Sequence, residues 1–422
     1  MHNDRVNSVQ KLMHKYQNVN KYLNQINHNE QQLIKNIEKD QDTKKKEKEA
    51  PTEEEDQNDD KAANMRWKQK FVKLWLAGDK LDKQREEEQK RQLEGWEEDN
   101  VGPENFRIGA KLGQGSFGQV YIVEKLNIKE DGTVLPTGNL YAMKILNKKQ
   151  IMGQNLVKYA KTERDVLTYT SHPFIVGLKY AFQTPEKLFL LLDYAAGGNM
   201  SRALHKDRRF PEDRAKLYLA EILLALEDLH KRDIIYRDLK PDNIVFDSAG
   251  HALVTDFGLS KEGVNQDNLA KSFCGSPAYL APEMLKRTGH GKAIDWYLLG
   301  VLLYEMLVGI PPYYSNNKEQ LYENIQRGPL KLPNFLSEEA RNFLIALLNR
   351  SPSKRLGSGP GGAGDIKKHP FFKGINWKDV EERKLPVPAP HLKKLNETDV
   401  PLEKVYGRGA FEPSLREHNR LQ

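Results

Sequence analysis

From residue 106 onward, apolar and polar positions alternate with a period of two in three short runs. These runs, at 107–111, 120–125 and 140–145, predict the first three strands of an antiparallel sheet. Residues 161–169 read as a helix, and the apolar run 188–194 as a buried strand. After Gly197-Gly198 the spacing lengthens: Leu217, Ile222, Leu224 and Leu229 predict a helix over 211–232. The apolar stretch 296–308 is a further helix, and its 13 residues fall short of the roughly 20 needed to cross a bilayer, so it belongs to a core. Strands followed by helices imply an α+β domain in two parts, a small sheet and a larger helical body. No internal repeat interrupts this order.

The first hundred residues follow a different pattern. Val9, Leu12, Tyr16, Val19, Leu23, Ile26, Leu33 and Ile37 fall on alternating spacings of three and four, with Glu30 at the one missing position. Two readings are open: a coiled coil that dimerises the chain or docks a partner, or a partly helical, mostly disordered tail. Asn18, Asn20, Asn24, Asn27, Asn29 and Asn36 lower helix propensity and weigh for the second. Residues 39–61 are rich in Lys, Glu and Asp and read as a solvated linker. Trp67, Phe71, Leu74 and Trp75 then share one helical face, ahead of the charged stretch 79–98. Acidic residues intermix with the basic ones there, so this helix is expected to pack on protein rather than lipid. The division is therefore 1–64 polar extension, 65–105 amphipathic segment, 106–372 main domain and 373–422 tail.

Composition narrows the class. Among 422 residues, 30% are charged and 38% apolar, as in a soluble globular chain with polar extensions. The net charge of +7 is spread among alternating Lys and Glu, without the basic stripe that nucleic acid requires. Cys274 is the single cysteine, which excludes an internal disulfide framework and fits a reducing compartment. Met1-His2-Asn3-Asp4-Arg5 carries no apolar signal core, and no glycine follows Met1 for myristoylation. A cytoplasmic or nuclear protein without a transmembrane segment is expected.

Four strings carry chemistry. Leu112, Gly113, Gln114, Gly115, Ser116, Phe117, Gly118, Gln119 and Val120 form a glycine-rich loop. Alone, such a loop also suits dinucleotide folds. Here strand residues flank it on both sides, as in a hairpin laid over phosphates. Lys144 follows in Tyr141-Ala142-Met143-Lys144 and offers a point charge for phosphate. It stands among apolar residues, where a bare ammonium is costly, so it needs a partner, and Glu163 on the next helix is the candidate. Tyr236-Arg237-Asp238-Leu239-Lys240-Pro241-Asp242-Asn243 and Asp256-Phe257-Gly258 complete the set. Asp238 is the proposed acceptor of a hydroxyl proton, and Lys240 a neutraliser of the moving phosphoryl group. Asn243 and Asp256 supply hard oxygen ligands suited to Mg²⁺.

With these motifs, residues 106–372 resemble the catalytic domain of the AGC serine/threonine protein kinases. Tyr236 before Arg237-Asp238, the segment from Ser272 to Glu283, and Arg355-Leu-Gly-Ser-Gly-Pro-Gly-Gly-Ala followed by Ile366-Lys-Lys-His-Pro-Phe-Phe carry the likeness. They are most similar to the ribosomal S-six kinase branch, with serum-regulated and Akt-like kinases nearby. The resemblance implies a bilobal kinase fold that uses ATP and Mg²⁺ on protein substrates and answers to an upstream activating kinase. It implies that Asp193 and Ala195 bind adenine at a hinge, with Leu192 as gatekeeper and Leu112, Val120, Ala142 and Val245 around the base. Leu167, Leu178, Tyr236 and Phe257 would stack as a regulatory spine. Glu283 would pair with Arg355, and Asp295 would brace the catalytic loop. Ser272 would be the activating phosphosite, bound by Arg237, and Ser276 would contact Asp238 and Lys240.

Several positions depart from that family. Asn199 replaces the carboxylate that binds ribose and an arginine three residues before the target, so that preference does not carry over. Asp242 and Glu305 remain as acidic groups for basic substrates, while Ala278 replaces a substrate-facing glutamate. The C-terminal Phe-x-x-Phe-Ser/Thr-aromatic motif is missing from 373–422, and Lys384-Leu-Pro-Val-Pro-Ala-Pro390 lacks the aromatic of the proline-rich segment. The helix of Trp67, Phe71 and Trp75, or a partner, is expected to fill the small-lobe groove instead. Two other classes compete: a pseudokinase scaffold assembled by the N-terminal coil, and a small-molecule phosphotransferase. The intact catalytic set opposes the first, and the segment Ser276 to Glu283, which shapes a peptide surface, opposes the second.

Overall fold

The computed structural model describes residues 101–115, 118–129, 132–153, 156–264, 268–390 and 405–407. The N-terminal coil and aromatic helix expected above lie outside the described residues.

The period-two runs form a five-stranded antiparallel sheet. Its strands are β1 (Phe106–Gly115), β2 (Gly118–Ile128), β3 (Val134–Asn147), β4 (Leu178–Gln183) and β5 (Lys187–Asp193), in the order β1-β2-β3-β5-β4. The first three are longer than the alternation suggested. Pairs such as Ile128 with Val134 and Asn127 with Leu135 continue the β2–β3 ribbon past the core, where both faces are exposed. A ribbon with no buried face imposes no alternation, so its sequence carries no such signal.

Two helices follow β3: α1 (Lys148–Gly153) and α2 (Val157–Tyr169), the latter beginning earlier than residue 161. The inward face of α2 carries Ala160, Val166 and Leu167, and among them Glu163. The larger lobe holds β6 (Gly198–Asn199), α3 (Met200–Asp207), α4 (Glu212–Lys231), β7 (Ile244–Phe246), β8 (Ala252–Val254), α5 (Pro282–Lys286) and α6 (Ala293–Val308). Helix α6 is apolar around most of its circumference and is correspondingly enclosed, with residues 294–304 all buried. Among the described residues, no helix is long and apolar enough to cross a membrane.

A second, smaller core covers one face of the five-stranded sheet. Phe106, Tyr121, Met143, Phe189 and Leu191 form it, and Val405 and Tyr406 from the tail close it. Tyr406 is fully buried, with its ring 5.4 Å from that of Phe189. Its hydroxyl donates to the Phe106 carbonyl at 3.3 Å, and its own carbonyl accepts from Thr184 Oγ1 at 2.9 Å. Lys187 Nζ donates to the Val405 carbonyl at 2.9 Å. Packing therefore draws residues beyond 372 into the catalytic unit. Trp377, Val380 and Leu385 likewise pack on the large-lobe core.

Replacing Tyr406 with alanine removes a fully buried ring and is expected to destabilise the domain by about 3 kcal/mol, lowering its Tm by several degrees. A thermal melt of the full chain with an unchanged Tm would contradict this packing.

Candidate active site

Three charged groups meet where the two lobes face each other. Lys144 on β3 is 8% exposed and Glu163 on α2 1% exposed; Nζ and Oε1 lie 2.5 Å apart. Asp256 Oδ1 approaches the same ammonium at 3.1 Å. Burial opposes the Lys144 charge, yet Asp256 and Glu163 outweigh it and hold its pKa above the ordinary lysine range. Burial raises the Glu163 carboxyl, with Lys144 acting against it. The Lys144 ammonium holds the Asp256 carboxyl below its ordinary range. The Asp256 side chain keeps 39% of its surface open, so it can still meet a ligand.

The catalytic loop is held in an unusual backbone form. Arg237 and Asp256 have φ values of 70° and 64°, a region that side-chain-bearing residues seldom occupy. Asp295 at the start of α6 is fully buried and stabilises the first of these. Its Oδ2 accepts the Tyr236 N–H at 2.9 Å, and its Oδ1 accepts the Arg237 N–H at 2.8 Å. His230 Nε2 lies 2.7 Å from Asp295 Oδ2.

This brace presents Asp238. Its Oδ2 accepts from Lys240 Nζ at 2.7 Å and from Asn243 Nδ2 at 2.8 Å. Its Oδ1 is buried and has no hydrogen-bond partner among the described residues. Burial raises the Asp238 pKa, with Lys240 pulling it back. Asn243 Nδ2 also donates to the Asp238 carbonyl at 2.9 Å, so Oδ1 is the atom Asn243 can offer a cation. Among the described residues the side-chain hydrogen bonds of Asp238 run to Lys240 and Asn243, and Ser276 takes no part in them. In that segment a Cβ on Gly275 would stand 3.9 Å from Asp238 Oδ1.

A cleft of about 850 Å³ runs outward from these groups. Leu112, Gly113, Gln114, Gly118, Val120, Ala142, Leu192, Asp193, Ala195 and Val245 line it as expected from the sequence. Gln119 and Gly115 lie on the flanking strands, paired as Gln114 with Gln119 and Gly115 with Gly118. Ser116 and Phe117 at the loop tip lie outside the described residues. Gly118 is required by the sheet itself: a Cβ there would stand 1.7 Å from the Ile145 carbonyl oxygen. Tyr236 and Phe257 pack edge to face at 5.4 Å, in one core with Leu167 and Leu178.

On the large lobe, Arg237 Nη1 donates to Ser272 Oγ at 2.6 Å. Glu283 and Arg355 form a buried two-pronged pair, Nη1–Oε1 2.7 Å and Nη2–Oε2 3.0 Å. Glu305 Oε2 is buried without a partner among the described residues, and burial followed by the Asp242 charge pushes the Glu305 carboxyl up to about 7.

Two contributors escape a reading of the sequence. Pro388 and Pro390 of the tail line the cleft, and a Cβ at Gly250 would stand 2.3 Å from the Pro388 carbonyl oxygen. Arg202, His205 and Lys206 of α3 line its outer part. The proline-rich run is visible along the chain, but its place at the cleft is a tertiary contact that no local pattern encodes.

Comparison with known proteins agrees with this geometry. Residues 106–372 match the protein kinase domain. The chain is 47% identical over 284 residues to Protein kinase 2 of Dictyostelium discoideum, covering 67% of this chain and 57% of that protein. It is 46% identical over 285 residues to the serine/threonine-protein kinase AtPK2/AtPK19 of Arabidopsis thaliana, covering 68% and 58% respectively. It is 47% identical over 290 residues to Ribosomal protein S6 kinase alpha-6 of Danio rerio, covering 69% and 38%. The matched region thus spans little more than half the length of the first two relatives and less of the third. The chain belongs to the protein kinase family, among relatives of the AGC type.

Proposed function

We propose that this chain transfers the terminal phosphate of ATP to serine and threonine hydroxyls of protein substrates. The observation that carries the reading is Asp238 Oδ1, a buried carboxylate oxygen with no hydrogen-bond partner among the described residues, on a side chain whose other oxygen is tied down. An acceptor held in this way suits an incoming hydroxyl. The serine/threonine specificity named for AtPK2/AtPK19 is carried to this chain as part of the proposal.

The residues present fit Mg²⁺ and ATP. Mg²⁺ takes one or two protein oxygens and completes its octahedron with phosphate and water, and Asp256 with Asn243 supplies such a pair. Bound there, Mg²⁺-ATP provides the phosphoryl group and a cation that neutralises its charge. Lys144, fixed by Glu163, offers its ammonium to phosphate oxygens. Asp238 orients the substrate hydroxyl and receives its proton, while Lys240 keeps the carboxylate ionised beside the reacting group. The apolar walls Leu112, Val120, Ala142 and Val245 enclose a flat base.

Phosphorylation of Ser272 by an upstream kinase is the proposed switch. Arg237 already holds the Ser272 hydroxyl. A phosphate adds about −1.5 to −2 charges, which the Arg237 guanidinium would bind, ordering the segment between Asp256 and Glu283.

With Ser272 phosphorylated, Asp256→Ala is expected to lower transfer to serine peptides by about a hundredfold or more. Ser272→Ala is expected to weaken it as well. Labelled phosphate from Mg²⁺-ATP reads both; transfer at the wild-type rate in Asp256→Ala would end the kinase reading.

Asp242 and Glu305 are the proposed seat of a basic substrate residue. An acid whose pKa is raised stays neutral below it, so Glu305 attracts a cation only as pH climbs through about 7. The KM for an arginine-containing peptide should therefore fall as pH rises through that value, and Glu305→Gln should flatten the dependence. An identical pH slope in the variant would contradict the assignment.

A further inference from the structure

Beyond Glu305 the large lobe carries a surface of arginines and exposed apolar side chains. Helix α6 ends at Val308, and the Gly309 N–H donates to the Glu305 carbonyl at 2.8 Å. Ile310 follows, 54% exposed. A Cβ at Gly309 would stand 2.5 Å from the Arg208 carbonyl oxygen, so the residue that ends α3 lies against this corner. Phe210 pins the same segment: its ring is buried, and its N–H donates to the Met306 carbonyl at 2.7 Å. Arg209 lays its guanidinium over the Phe335 ring, 4.2 Å from the centroid. Phe335 is 56% exposed although the turn bearing it is fixed, with Leu336 buried and its N–H donating to the Pro333 carbonyl at 3.3 Å.

Single exposed apolar residues are ordinary. Unmatched charge beside them is what sets this surface apart. The acids close in sequence are engaged: Asp207 with Arg214 at 2.7 Å, Glu212 with the Ser337 hydroxyl, and Asp213 with Lys216 at 3.9 Å. Glu338 and Glu339 stand in the first turn of the helix Glu338–Leu347, whose N-terminus favours them. Among the described residues neither the Arg208 nor the Arg209 guanidinium has an ion pair or a hydrogen bond. A guanidinium stacked on a ring uses its face and keeps its N–H edge for a carboxylate.

We infer that Arg208, Arg209, Ile310 and Phe335 dock a segment of the protein substrate remote from its acceptor hydroxyl, one that joins acidic side chains to an apolar anchor. This rests on the kinase reading and deepens it. Charge complementarity selects the occupant: two open guanidiniums call for carboxylates, and Ile310 and Phe335 for an apolar or aromatic side chain. Continuity makes that occupant a substrate, because the surface begins one helical turn past Glu305, where a basic substrate residue is seated. Contacts so far from the reacting atoms hold ground state and transition state alike, so they act on KM and leave kcat unchanged.

The test uses a serine peptide with an arginine near the acceptor. It is extended through Gly/Ser linkers of varied length by a short segment of Glu, Asp, Phe and Leu, or by the same segment with Lys for each acid. With Ser272-phosphorylated wild type, the acidic extension should lower KM about tenfold at a matching linker length, with kcat unchanged, and the lysine extension should not. Arg208→Glu/Arg209→Glu should invert that order, and Phe335→Ala should weaken the acidic extension. All variants should keep the wild-type KM for the unextended peptide. Fluorescence anisotropy of the labelled segments alone should rank them in the same order, without any transfer. Equal KM for the two extensions in wild type, or an acid preference that survives the double variant, overturns the inference. So does an equal rise in KM for the unextended peptide, which would assign the arginines to the seat of the basic residue. No transfer to any peptide by Ser272-phosphorylated wild type sinks the kinase reading instead, and the substrate role falls with it even if the labelled segment binds.

Discussion

The ion pair between Lys144 and Glu163 is the interaction on which the rest of the site depends. It joins the small sheet to α2 through two side chains that are almost wholly buried. Neither charge is tolerable there alone, because desolvation of a single ion outweighs any packing gain. Together they fix the position of α2 against β3, and Asp256 extends the pairing to the large lobe. The geometry of the cleft is therefore set by electrostatics across the lobe boundary, with apolar cores on either side supplying stability. The pair is a weak source of stability in itself; its value is positional.

A second constraint acts through the backbone. Arg237 and Asp256 both occupy the left-handed region, a local cost that folding must offset elsewhere. Asp295 meets the Tyr236 and Arg237 N–H groups, and the Tyr236 hydroxyl donates to the Thr255 carbonyl at 2.5 Å. Helix α6, enclosed in the large-lobe core, thus acts as the anvil for the catalytic loop. The reactive carboxylate of Asp238 is held by a lattice of buried hydrogen bonds, which is what preorganised chemistry requires. Glu283 and Arg355 do the same for the far end of the segment bearing Ser272.

Much of this was legible in the residues. The glycine-rich hairpin, Lys144 and its need for a partner, and the Asp238–Asn243–Asp256 set each follow from chemistry that admits few residue types. The helix of Leu217, Ile222, Leu224 and Leu229 follows from its apolar spacing, although residues 218–226 are buried all round, and α6 follows from its continuous apolar run. What escaped was tertiary. Tyr406 lies in a polar stretch without period, and its burial depends on the aromatic face made by Phe106, Phe182 and Phe189. The β2–β3 extension has no buried face and so no pattern. Gly118 was assigned to phosphate approach, whereas the sheet pairing already demands it.

Glu163, on this view, positions Lys144 for phosphate transfer. Glu163→Gln keeps the side chain's size and removes its charge, so the most direct measurement is steady-state transfer from Mg²⁺-ATP by that variant, with Ser272 phosphorylated and cooperative melting verified. The predicted result is a fall of about a hundredfold in kcat/KM. Transfer at the wild-type rate would show that Lys144 is positioned without Glu163 and would contradict the central role given to the pair.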